Sequence, residues 1–202
     1  MNPVTHCLVS WCVANSAQVD RRDRAIVTLA GIAPDLDGLG AIPELLTRNS
    51  PYALHWFSEY HHILGHNLGF GIVVTAASFS LAARRWKTAA LAFAAFHLHL
   101  LCDVAGARGP DGDQWPIPYL LPFSRAWQWT WHSQWALNAW QNFVITTAAL
   151  GLTFYLAWSR GFSPLEMASR EADVAFVAAL QQRFGEPSKR SCIAASCGSG
   201  KR

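Results

Sequence analysis

Charge is what this chain has least of. Asp, Glu, Lys and Arg make up 14% of its 202 residues and hydrophobic residues 51%, against roughly 25% charged in ordinary soluble domains. The formal charge of +3 does not amount to a basic surface. Lys189, Arg190, Lys201 and Arg202 stand against Glu186 in residues 186–202, and the remainder balances to zero. Without a clustered basic face, no nucleic-acid partner is expected. Cysteine is scarce and irregularly spaced: Cys7, Cys12, Cys102, Cys192 and Cys197 form an odd set, which excludes a disulfide framework. The last two fall in a Ser/Gly-rich stretch, so residues 186–202 read as a disordered tail. The N-terminus lacks both a basic n-region and an uninterrupted apolar h-region, so a cleaved signal peptide is not expected.

In place of charge there are apolar runs punctuated by turns. Residues 3–19 read as a first helix, ending before "DRRDR" (20–24). Residues 25–33 read as a short second helix, stopped by Pro34 and the turn "APDLDGLG". Residues 40–60, broken by Pro43 and Pro51, read as irregular chain around a short helix or two. Residues 67–83 and 88–101 carry no charge when their histidines are neutral, and the basic turn "RRWK" (84–87) separates them. A loop rich in Gly, Pro and Trp follows over 104–134. Residues 137–159 then form an uncharged segment of spanning length, since about 20 residues cross a bilayer core. The two earlier segments are shorter and fit either a span or a buried helix.

Six of the ten tryptophans lie between Trp115 and Trp140, where an interfacial aromatic belt would flank the last span. The expectation is an all-α, membrane-associated bundle of antiparallel hairpins over residues 1–160. Residues 161–185 hold a separate amphipathic helix, read over 163–185. Ser163 is its N-cap, Pro164 lies in the first turn, Glu166 completes a capping box and Gly185 is the stop.

Tracing the hairpins brings the polar residues together. With "RRDR" at one end of the bundle, His6 starts at the other. The second helix returns there with Asp35 and Asp37. His62 and His66 precede the segment 67–83, and His99 and Asp103 end the segment that climbs back from "RRWK". Residues four apart share a helix face, so His62/His66 and His99/Asp103 can each present two side chains to one ion. Neutral imidazole and carboxylate are zinc ligands, and ionisable groups at the ends of apolar helices point to function. His61, His97 and His132 are weaker candidates. His61 and His97 lie off the face of their neighbours, and His132 sits in an aromatic belt.

The order "VTH", "APDLDG", "HH-x3-H", "H-x3-D" and "WPIPYLLPFS" resembles the membrane-bound metal-dependent hydrolases, also called LexA-binding, inner-membrane-associated hydrolases. The resemblance covers roughly residues 1–160. It extends distantly to zinc-dependent phospholipase C, an all-helical enzyme whose zinc ions are held by His and Asp from several helices. The resemblance implies His6, Asp35 or Asp37, His66, His99 and Asp103 as ligands. Many family members carry Arg in the histidine motif where this chain has His62, which leaves His61 and His62 as alternatives. No downstream H-x3-E pair is present, so one or two ions are implied rather than three.

These readings make the chain a multi-pass inner-membrane hydrolase of phosphoesters, lipid-derived ones included, using Zn²⁺ or another divalent ion. Asp35, Asp37 and Asp103 are its catalytic candidates, with Asp103 placed to bridge two ions. His6, Asp35, His62, His66, His99 and Asp103 are its metal ligands, and membrane lipids are its surroundings. Two rivals use the same residues: a non-catalytic membrane protein with an ion or proton pathway, and a structural or pH-sensing metal site. Lys and Arg in the turns place that end in the cytoplasm and the His/Asp cluster on the opposite side.

Overall fold

The computed structural model describes residues 1–109 and 112–187. Most of its longer helices begin where a side chain accepts one of the first orphaned N–H groups. Asn2 takes Thr5 N–H to open α1 (Pro3–Ala14), and Asp20 takes Asp23 N–H to open α2 (Arg21–Ile32). The "DRRDR" stretch is therefore the start of the second helix rather than the turn before it. The first helix ends at Ala14, five residues earlier than expected. There Asn15, buried, turns its side-chain amide back onto the Trp11 carbonyl.

Pro34 does not stop the chain. Near the start of a 3-10 helix (Ala33–Gly40), its missing N–H removes no needed bond, and the chain runs on into α3 (Ala41–Thr47) and the short α4 (Trp56–Tyr60). Asn67 caps α5 (Leu68–Leu81) through Phe70 N–H. After the basic turn come α6 (Arg85–Gly106), an irregular stretch, and α7 (Trp140–Arg160). A 3-10 turn (Pro164–Met167) precedes α8 (Arg170–Phe184). Among the described residues the only β features are two isolated bridges, Ile117 with Trp129 and Arg108 with Ala136.

Three helical stretches are long and apolar enough to cross a membrane: Arg21–Thr47, Arg85–Gly106 and Trp140–Arg160. The first corrects the expectation that the second helix is too short, because α2, the 3-10 helix and α3 form one continuous helical run. The segment 67–83 yields only the 14-residue α5, which is below spanning length.

The chain divides into two compact units, Met1–Thr153 and Phe154–Arg202, with the boundary inside α7. In the first, α6 is the central helix and packs against α1, α2 and α5. Its Ala92 and Ala95 are small enough to let neighbours approach, and its Phe96 and Leu100 are fully buried with Ile117. The N-terminal part of α7 reaches α1 through the Thr5–Thr146 hydroxyl pair at 2.6 Å.

In the second unit the single helix expected over 163–185 is split. Ser163 Oγ and N–H both donate to Asp173 Oδ1, at 2.7 and 2.6 Å. A second serine, Ser169, then caps α8 through Ala172 N–H. The buried stripe of α8 is Asp173, Val177 and Leu180. The expected tail, with Cys192 and Cys197, lies from residue 188 onward outside the described residues.

Candidate metal centre

Four stretches of chain deliver the site. His6 comes from the second turn of α1, Asp35 and Asp37 from the 3-10 helix after α2, and His62 and His66 from the loop before α5. His99 and Asp103 come from the last two turns of α6. The helical spacing argument holds for His99 and Asp103, whose Nε2 and Oδ2 are 3.1 Å apart. It fails for His62 and His66. They sit in a turn, with His62 at φ +66°, a left-handed conformation rare outside glycine. The pair still converges, with ring centroids 4.5 Å apart.

The orientations of His99 and His66 are each fixed by the Nδ1 nitrogen. His99 Nδ1–H donates to the Gly31 carbonyl at 2.8 Å. His66 Nδ1–H donates to Asp37 Oδ2 at 3.1 Å. Both Nε2 atoms therefore face inward, 3.3 Å from each other. His66 Nε2 lies 3.4 Å from Asp103 Oδ2, and His99 Nε2 lies 3.6 Å from Asp35 Oδ1. His6, stacked on His99 at 3.6 Å, places its Nε2 3.1 Å from Asp103 Oδ1. The N-terminal ammonium of Met1 also contacts that oxygen.

Such separations are those between ligands of a tetrahedral ion. Bonds of about 2.0–2.1 Å set neighbouring ligand atoms roughly 3.3–3.4 Å apart. The donors form two groups that could each hold an ion, His6/Asp35/His99/Asp103 and His62/His66/Asp103, with Asp103 common to both. Asp35 Oδ2, His62 Nδ1 and Asp103 Oδ2 are buried with no hydrogen-bond partner. Buried polar atoms are costly when unpaired, so this donor set fits a cation.

Asp37 is absent from both groups. It accepts from His61 Nδ1–H (2.8 Å), Gly65 N–H (3.0 Å) and His66, so it is a carboxylate that orients His66, a candidate ligand. This also separates His61 from His62: His61 holds Asp37, and His62 joins the ligand group. Burial lowers the pKa of His66, but the Asp103 and Asp37 carboxylates facing its two ring nitrogens outweigh that and raise it to about 9. Burial, followed by the charge of His66, pushes His62 down to about 2. Of the weaker candidates, His97 donates to the Phe93 carbonyl and accepts from Tyr119 OH, away from the site. His132 is exposed and offers only its carbonyl, to Arg108.

Access to the centre is through a cleft of about 370 Å³ whose lining includes Asp35, Leu39, Phe57, His62, Trp115 and Leu137. Trp115 packs edge-on against His62 and His61, at 4.8 and 5.6 Å. Sequence spacing did not single out Trp115. Nor did it find Gln134, which donates to the Asp103 carbonyl at 2.8 Å. Asn142 donates to the Gly106 carbonyl at 2.9 Å and accepts from Trp135. These side chains anchor the loop after α6 to the end of that helix.

The profile of the YdjM inner membrane protein family matches residues 1–183. The chain belongs to that family. It is the inner-membrane-associated family whose motif order the chain resembles, and it agrees with the three helices of spanning length. No curated protein and no solved structure matches the chain. The family's name carries a location and no reaction.

Proposed function

We propose that the protein is a membrane-bound metal-dependent hydrolase acting on phosphoesters, lipid-derived ones foremost. One observation carries the reading. The Nε2 atoms of His66 and His99, with their Nδ1 atoms already committed, converge on Asp103 beside an open cleft. His6, Asp35, His99 and Asp103 would hold one ion, and His62, His66 and Asp103 a second. Asp103 would bridge, with Oδ1 toward His6 and Oδ2 toward His66 and His99. A divalent ion held there supplies a water of lowered pKa and polarises the phosphoryl oxygen. Asp37 keeps His66 in the ligating tautomer, and Asp35, at the cleft wall, is placed to take the proton of an attacking water.

The rivals fit less well. An ion or proton pathway needs polar groups at mid-depth, whereas His6 lies near the start of α1 and Asp103 in the last turn of α6. A structural zinc site is closed by four ligands, whereas the His62/His66/Asp103 group would supply three, which suits an ion that keeps a water.

The test is metal analysis of the detergent-purified protein, followed by assay on bis-p-nitrophenyl phosphate and on phospholipids. Bound zinc, activity lost to a chelator and restored by the metal, and loss of both in His99→Ala and Asp103→Ala are expected. Metal-loaded protein that cleaves no phosphoester would overturn the reading.

A further inference from the structure

Toward the basic turn, α5 and α6 leave an apolar groove of about 450 Å³ between them. Ile72, Ala76 and Phe79 line one side, and Trp86, Ala89 and Phe93 the other. The groove runs toward the basic turn. There Arg85, Trp86 and Lys87 are all exposed, Trp86 at 81%. Trp86 packs edge-on to Phe79 at 4.8 Å, and the Arg85 guanidinium lies 5.9 Å from the same ring.

Among the described residues neither Arg85 nor Lys87 has an ion-pair partner. Asp23 is the carboxylate at this turn, but it is fully buried and accepts from the backbone N–H of Ala83 and Arg84, both at 2.9 Å. Arg84 is held by the Gln18 carbonyl. An apolar channel thus ends at an indole and two uncompensated cations, on a helix long enough to cross the bilayer. Indole rings settle at the headgroup level, and basic residues there attract anionic lipid. A purely apolar occupant would leave both cations unanswered.

We propose that this groove is a binding site for one anionic phospholipid. Its acyl chain lies along Ile72, Ala76, Phe79 and Phe93, and its phosphate lies on Arg85 and Lys87. The site is independent of the hydrolytic reading and of any metal.

Native mass spectrometry of the detergent-solubilised full chain, titrated with dioleoylphosphatidylglycerol or dioleoylphosphatidylcholine, tests this. Wild type should retain the anionic lipid about 30-fold more tightly, roughly fivefold for each of the two cations. In Arg85→Gln/Lys87→Gln that preference should vanish while weak phosphatidylcholine uptake persists. Ala76→Phe, which fills the groove from its exposed side, should lose both lipids with its helical circular dichroism unchanged. Equal binding of the two lipids, or a preference that survives the double variant, would refute the proposal. So would sn-glycerol 3-phosphate binding as tightly as the lipid, which makes the site a simple anion site. A dimer in detergent that Ala76→Phe dissolves would give the groove to a second copy instead.

Discussion

His66 has a carboxylate facing each ring nitrogen, Asp37 at Nδ1 and Asp103 at Nε2, and this pairing sets how the centre responds to pH. Its folded pKa of about 9 lies above the ordinary 6.5, so in chelator-treated protein the proton stands in for part of the missing cation. The stability this contributes is fully present below about pH 6.5 and is lost as pH rises through about 9. Chelated protein should therefore melt at a lower temperature at about pH 9.5 than at about pH 6, and His66→Gln should remove the difference. Zinc must displace the same proton, so its affinity should rise toward pH 9, with proton release visible by calorimetry in buffers of different ionisation enthalpy. Asp37→Asn should weaken zinc binding by about 10–100-fold, the usual cost of losing a ligand's orienting partner, whereas His132→Ala should leave it unchanged. At this scale the clustering of the candidate donors was legible in the sequence because His and Asp are rare in apolar segments. The division of labour between Asp35 and Asp37 was not. Two carboxylates two residues apart look alike until the 3-10 geometry turns one inward and gives the other to His61 and Gly65.

At the scale of elements, close approach decides whether the ligands meet. Where α2 crosses α1, a Cβ on Gly31 would lie 1.9 Å from Ser10 Oγ and 2.6 Å from its Cβ. The Gly31 carbonyl is also the acceptor that orients His99. Gly31→Ala should push α2 off α1, costing about 1–3 kcal/mol of overpacking, and should lower melting temperature and bound zinc together. Gly151 in α7 has nothing within 4 Å of its would-be Cβ, so Gly151→Ala should keep the metal and be neutral or stabilising by up to about 1 kcal/mol. The long apolar helices were readable from composition, since α6 and α7 need little beyond a run of uncharged residues. Their ends and interruptions were harder, because several residues can serve as caps. Asp20 caps α2 where the charge run suggested a turn, and Ser169 competes with Ser163 for the start of α8. The four-residue spacing of His62 and His66 fits a helix face, yet residues 62–67 form a turn. What prevents the helix is Asn67, whose side chain caps α5 and donates back to the Ile63 and Leu64 carbonyls.

For the whole molecule the open question is which side of the membrane the metal centre faces. The two basic stretches are held together: Asp23, within "RRDR", accepts from Ala83 and Arg84 at the start of "RRWK". Arg85 and Asp103 then lie near opposite ends of the 22-residue α6, roughly 27 Å apart along its axis. That distance is close to the ~30 Å thickness of a bilayer core, so α6 separates the basic turns from the His/Asp cluster by nearly a full membrane. Lys and Arg in short loops are retained in the cytoplasm. The basic end should therefore be cytoplasmic, and the cleft should open on the far side, which for an inner membrane is the periplasm. Single cysteines in a background lacking the native ones report each end directly: Lys87→Cys at the exposed basic turn, and Glu59→Cys in α4, just before the histidine loop. An impermeant thiol reagent applied to intact cells with a permeabilised outer membrane should label Glu59→Cys and spare Lys87→Cys until the inner membrane is lysed. The reverse pattern would invert the topology, put the metal centre in the cytoplasm, and require any lipid substrate to come from the inner leaflet. Labelling of both positions in intact cells would mean that α6 does not span, and the separation argued from its length would fail with it.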